Sequence, residues 1–223
     1  LGTSNWQNIS YNIELIRKLD PHSILDIGVG FGRWGILFRE FLEVWDGARY
    51  DGNWERIIDG VEIFPGYLKE YHKYFYNNIH IGDALDYLQK TDINYDLINC
   101  GDVIEHMNKE TGLKFIELAM KKATYVLINI PVGRNWPQQG TVENPFEAHR
   151  SIWYNNDFTK FKHYKIKSFN DLAGRNFSVV LLSPGKIKYT KKYGRFFGFK
   201  NFLKYRLGLR KLIENFESGK SSK

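Results

Sequence analysis

The chain has 223 residues, 43% hydrophobic and 26% charged, which is enough for one α/β domain with a modest extension and too few for two full-sized domains. No apolar run approaches the roughly eighteen residues of a membrane span. The single cysteine, Cys100, excludes an internal disulfide framework, and with no basic-then-apolar leader a soluble, cytoplasmic protein is expected.

The net charge of +7 is uneven: residues 172–223 hold 13 Lys and Arg against 2 acids, whereas residues 1–171 hold 19 against 23. A basic appendage on a mildly acidic body argues against a body that is itself a nucleic-acid-binding surface.

In chain order, Ile9, Ile13, Leu15, Ile16 and Leu19 predict an amphipathic helix stopped by Asp20-Pro21. Ser23–Ile27 reads as a buried strand, followed by a glycine-rich turn and a helix from Arg33 to Val44. Arg56–Ile63 predicts a second strand, and the helix after it is expected to include Tyr67 to Tyr74. Further strands fall at Asn78–Asp83, Tyr95–Cys100 and Ala123–Ile130, with helical patterns between them. Such alternation implies a parallel sheet. The strands Tyr164–Phe169 and Phe177–Leu182 are too close together for a helical crossover and should pair antiparallel at an edge. The expected architecture is α/β, a Rossmann-like seven-stranded, mostly parallel sheet with an antiparallel edge pair and helices on both faces. Residues 1–184 form its domain and 185–223 a basic aromatic extension.

The chemistry centres on Asp26-Ile27-Gly28-Val29-Gly30-Phe31-Gly32, where a buried strand ends in a carboxylate and turns through glycines that admit close backbone approach by a ligand. A dinucleotide site would place its third glycine at position 33, which is Arg33, and its acid about 20 residues further on. Here the acid closing the second strand is Glu62, and a third strand-end acid, Asp83, follows.

This order of motifs resembles the class I S-adenosylmethionine (SAM)-dependent methyltransferases from Ser23 to about Pro184. The resemblance implies SAM as cofactor, with Asp26, Gly28, Gly30 and Gly32 toward its methionyl part. Glu62, beside Ile63, would take the ribose hydroxyls, and Asp83 with the Ala84 amide the adenine edge. A carboxylate can accept from two neighbouring hydroxyls at once.

After the fourth strand, Gly101–Met107 resembles the segment that borders the active site in many small-molecule methyltransferases, adding Asp102 to the cofactor side. His106 is the first candidate base, with Glu105 orienting it; alternatively His106 caps the following helix. A second cluster, Asn144 to Trp153, contributes His149, and the loop from Pro131 to Asn144 is a candidate lid. No metal is expected in the leading reading. If Asp102, Glu105 and His106 shared a helical face, His149 would complete a divalent-ion site resembling that of small-RNA 3′-terminal 2′-O-methyltransferases.

The stretches Ile27–Gly35, Gly101–His106 and Asn144–Trp153 also look like bacterial methyltransferases found among surface-glycan genes. The leading expectation is O-methylation of a small molecule or glycan. Alternatives are a metal-dependent RNA methyltransferase, a catalytically silent SAM-fold binding or scaffold protein and, more weakly, a nicotinamide dehydrogenase. The tail interleaves Phe196, Phe197, Phe199, Phe202 and Tyr205 with Lys200, Lys204, Arg206 and Arg210. It fits a peripheral contact with the inner membrane face, a nucleic-acid contact, or a helix packed on the body or a second subunit.

Overall fold

The computed structural model describes residues 5–45 and 49–191. Leu1–Lys188 is one compact unit, and the site lies wholly within it. The expected tail helix lies outside the described residues.

α1 (Ile9–Leu19) buries Leu15, Ile16 and Leu19 and ends where Asp20 takes a left-handed φ of 54° ahead of Pro21. Two asparagines on its inner face carry a tertiary tie. Asn8 and Asn12 are buried, and their Nδ2 groups donate to Asn129 Oδ1 at 2.7 and 2.8 Å.

β1 (Ser23–Ile27) leads through the glycine turn into α2 (Arg33–Arg39), which continues as a π-helical turn over Glu40–Val44. β2 (Ile57–Glu62) follows. The helix expected over Tyr67–Tyr74 is replaced by a 3₁₀ turn at Pro65–Tyr67 and a single helical turn, α3 (His72–Phe75). Leu68 is extended, with ψ 133°, and the Lys69 N–H goes to the His72 ring instead of into a helical ladder. β3 (Asn78–Ile81), α4 (Ala84–Lys90), β4 (Tyr95–Gly101), α5 (Lys109–Lys122) and β5 (Ala123–Pro131) complete the crossovers. β6 (Tyr164–Asn170) and β7 (Asn176–Leu182) close the sheet.

The seven strands lie in the order β3-β2-β1-β4-β5-β7-β6. β1 through β5 are parallel, and β7 runs antiparallel to both β5 and β6. The order reverses between β1 and β4, so right-handed crossovers place α2 and α3 on one face and α4 and α5 on the other. Ligands of open α/β sheets bind at that reversal, outside the carboxyl ends of the strands.

The core beneath it is built from Leu25, Ile27, Ile98, Val126 and Ile128 of the central strands with Phe115 and Ile116 of α5. Trp153 joins it from the segment before β6. It is fully buried, with its ring centroid 5.5 Å from Phe158 and Lys109 Nζ 3.8 Å from its own centroid. A Cβ at Gly112 of α5 would stand 2.7 Å from its ring, so a glycine is needed there. Truncating a buried tryptophan typically costs about 3–5 kcal/mol. Trp153→Ala is expected to lose that much stability in urea unfolding while leaving the sheet intact by circular dichroism.

Candidate active site

A cavity of about 720 Å³ opens at the carboxyl ends of the parallel strands. On one side it is lined by Gly28, Glu62, Ile63, Asp83, Ala84 and Asp102, and on the other by Glu105, His106, Gln138 and His149. Nine of the twelve expected site residues thus share one cavity. Asp26, Gly30 and Gly32 do not line it and support it from beneath.

The glycine turn is left-handed at Gly28, Gly30 and Gly32, with φ of 74°, 52° and 87°. A Cβ at Gly28 would come within 2.5 Å of Val103 Cγ2, so the close approach of β1 and β4 ends excludes any side chain there. Glu62 is 4% exposed. Its Oε2 accepts from the Gly30 N–H and its Oε1 from the Phe64 N–H, both at 2.8 Å. Burial raises its pKa above the usual carboxylate value, and the two N–H donors oppose that rise. One carboxylate therefore braces the turn and faces the cavity.

Asp26, expected to face a ligand, is turned into the core. Its carboxylate accepts from Tyr76 Oη at 2.6 Å and Asn99 Nδ2 at 2.8 Å, and burial pushes its pKa up to about 7. Tyr76 in turn accepts from the Gly35 N–H of α2 at 3.1 Å. His72, 1% exposed, holds the other side of the turn. Because its Nδ1 accepts from the Lys69 N–H at 2.9 Å, its Nε2 carries the proton and donates to the Gly30 carbonyl at 3.1 Å. Sequence reasoning missed both Tyr76 and His72, whose only signal was being polar residues on the segment that returns beneath the turn.

Asp83 is the N-cap of α4, its Oδ1 accepting from the Leu85 and Asp86 N–H groups at 2.8 and 3.1 Å. Ala84 begins the helix beside it.

Beyond β4 the expected helical face does not form. Asp102 sits at φ 52°, and only Ile104–His106 makes a 3₁₀ turn. The cap of α5 is Asn108, whose side chain accepts from the Thr111 N–H at 2.8 Å, rather than His106. Glu105 does not orient His106 either. Its carboxyl is 1% exposed, Oε2 has no hydrogen-bond partner, and burial drives its pKa well above the usual range.

His106 is held instead by the segment before His149, its Nδ1 3.1 Å from the Ala148 carbonyl. The Nδ1 of His149 lies 2.7 Å from the Trp136 carbonyl. A carbonyl only accepts, so both rings carry their proton on Nδ1 and keep the Nε2 lone pair. The rings meet edge to face, centroids 4.9 Å apart. Burial lowers both pKa values, which keeps the rings neutral near pH 7. Candidate ligand atoms of Glu105, His106 and His149 all lie within 4.8 Å of one another; Asp102 does not join this group.

The loop after β5 is tied down as a strap. The His149 N–H donates to the Gln138 carbonyl at 3.0 Å, and Gln138 Nε2 to Glu147 Oε2 at 2.9 Å. Tyr67 Oη donates to Glu147 Oε1 at 2.5 Å and accepts from Asn144 Nδ2 at 2.9 Å. Burial and Glu147 push the Tyr67 pKa up to about 12, so it remains a donor. The latch joins the segment after Glu62 to the strap that places His149. Tyr67→Phe removes two hydrogen bonds, of which the one to the charged Glu147 is worth about 1.5–3 kcal/mol. The variant is expected to show faster limited proteolysis within residues 133–143 and a lowered urea midpoint.

No protein-family model matches the sequence, and no curated protein matches it. Solved structures do match. A SAM-dependent methyltransferase from Archaeoglobus fulgidus shares 15% identity over 79% of this chain and 92% of its own, with a TM-score of 0.56. TomG, a Streptomyces achromogenes O-methyltransferase involved in tomaymycin synthesis and solved with SAM, shares 14% over 82% of each chain, with a TM-score of 0.56. The methyltransferase domain of a bacterial Hen1 shares 17% over 79% of this chain and 97% of its own, with a TM-score of 0.50. The chain therefore has the Rossmann-like fold of the SAM-dependent methyltransferases.

Proposed function

We propose that this chain is a SAM-dependent methyltransferase that acts on a hydroxyl group of a small-molecule or glycan acceptor. The observation that carries this reading is that one cavity joins two kinds of wall. One is a glycine turn with strand-end acids, and the other is a pair of neutral histidines with available Nε2 lone pairs.

The residues fit SAM. The turn excludes side chains where a ligand must approach closely, Glu62 presents a carboxylate suited to a vicinal diol, and Asp83 with the Ala84 amide offers an acceptor and a donor for adenine. Asp26 acts by fixing the strand end, and Asp102 lies at the methionyl side. When bound, SAM supplies an electrophilic methyl group on a sulfonium centre.

The protein then has two tasks, aligning the acceptor oxygen and removing its proton. His106 Nε2 takes that proton, its ring held by the Ala148 carbonyl, with His149 beside it as second base. The strap limits water over the histidines.

The test is calorimetric titration of SAM and its demethylated product, with NAD as control. Binding of both sulfur compounds and not NAD supports the reading. No binding of either leaves a silent scaffold, and binding of NAD favours a dehydrogenase.

A second reading is motivated by the orphaned Glu105 Oε2 beside two histidines. Glu105, His106 and His149 would hold a divalent ion, with RNA as a candidate acceptor. A neutral-ring pair with Nδ1 tied to carbonyls suits metal ligation as well as base catalysis.

A further inference from the structure

Among the described residues, three arginines line the cavity: Arg33, Arg150 and Arg175. Arg33 donates to the Asn5 carbonyl at 3.2 Å, and burial lowers its pKa while Asp102 opposes that fall. Arg175 is paired with Asp171 at 2.7 Å and lies 4.0 Å over the Trp136 ring. Arg150 is exposed, and its guanidinium has no hydrogen-bond or ion-pair partner among the described residues.

Its main chain is nonetheless firmly placed. The Arg150 and Ser151 N–H groups both donate to the Glu105 carbonyl, at 2.8 and 3.1 Å. This clamps Arg150 to the turn carrying His106, one residue after His149. Neighbouring acids are engaged elsewhere: Glu147 accepts from Tyr67 and Gln138, Asp157 from Lys109, and Asp171 from Arg175.

From this contrast we infer that Arg150 anchors an anionic oxygen group, carboxylate or phosphoryl, carried by the methyl acceptor. The inference rests on the methyltransferase reading and narrows its acceptor class. A guanidinium matches either group through two parallel N–H···O bonds. The compact unit Leu1–Lys188 is close to neutral, with 23 acids against 22 Lys and Arg, so its overall field does not draw anions in and a local cation must supply the attraction.

The test uses the full chain saturated with S-adenosylhomocysteine, titrated separately with malonate and inorganic phosphate at fixed pH and ionic strength. Ring resonances of His106 and His149 report binding. One or both anions are expected to shift them in wild type, the tighter one identifying carboxylate or phosphoryl. Arg150→Gln is expected to weaken that binding at least about tenfold with S-adenosylhomocysteine affinity unchanged, which is about 1.4 kcal/mol. Arg150→Lys should fall between, keeping the charge but losing the fork. Equal anion affinity in Arg150→Gln, or no shift in wild type, overturns the inference. Failure of S-adenosylhomocysteine to bind is seen in the same sample and overturns the assignment to a methyl acceptor, whatever the anions do.

Discussion

Glu62→Ala is expected to weaken SAM binding by roughly 10²–10⁴-fold in calorimetric titration, since two hydrogen bonds to a charged group contribute about 1.5–3 kcal/mol each and about 1.4 kcal/mol is tenfold. Part of that loss comes from the protein itself. Gly30 and Phe64 lose the acceptor of their N–H groups, so the turn loses its brace as the ligand loses its partner. Glu62→Gln separates the two effects. It keeps the shape but leaves one oxygen for two backbone donors, and a smaller loss of affinity is expected. Because burial raises the Glu62 pKa, the neutral amide avoids a desolvation cost that offsets part of the loss of one acceptor, and the apo variant should be less destabilised than Glu62→Ala. Wild-type affinity in Glu62→Ala would remove this residue from the cofactor site.

His106→Ala is expected to lower kcat by about 10²–10⁴-fold, the usual contribution of a positioned general base, measured as S-adenosylhomocysteine release once an acceptor is found. The pH profile carries the sign. Burial lowers the His106 pKa below its ordinary 6.5, so the lone pair is present at pH 7 and lost only as pH falls through the lowered value. The acid limb of kcat/KM should therefore lie below pH 6.5 and disappear in His106→Ala. A limb that survives there and vanishes in His149→Ala transfers the role to His149, whose pKa is lowered for the same reason. Excess EDTA separates the metal reading: it should leave turnover unchanged if the histidines act as bases and abolish it if they hold an ion with Glu105.

Which of these features were legible beforehand follows from how far apart in the chain the partners are. Each strand and its glycine or acid end were readable because alternation and turn chemistry are local, and a βα unit closes on itself within a few tens of residues. The segment after β2 was misread as a helix, since Tyr67 answers to a carboxylate 80 residues away rather than to its neighbours. Asn8 and Asn12 carry no local signal of burial, yet they hang α1 from a residue more than 100 positions on.

By itself the sequence determined the strand order of motifs, the glycine turn, and the placement of Glu62 and Asp83 at strand ends, because those depend on periodicity and backbone freedom. Only the tertiary structure decided that Asp26 faces the core, that Asp102 stands apart from Glu105 and His106, and that His149 faces His106 across a strap latched to Tyr67. Those outcomes depend on which distant groups satisfy each buried donor and acceptor, a condition set only when the sheet has closed and water has been excluded.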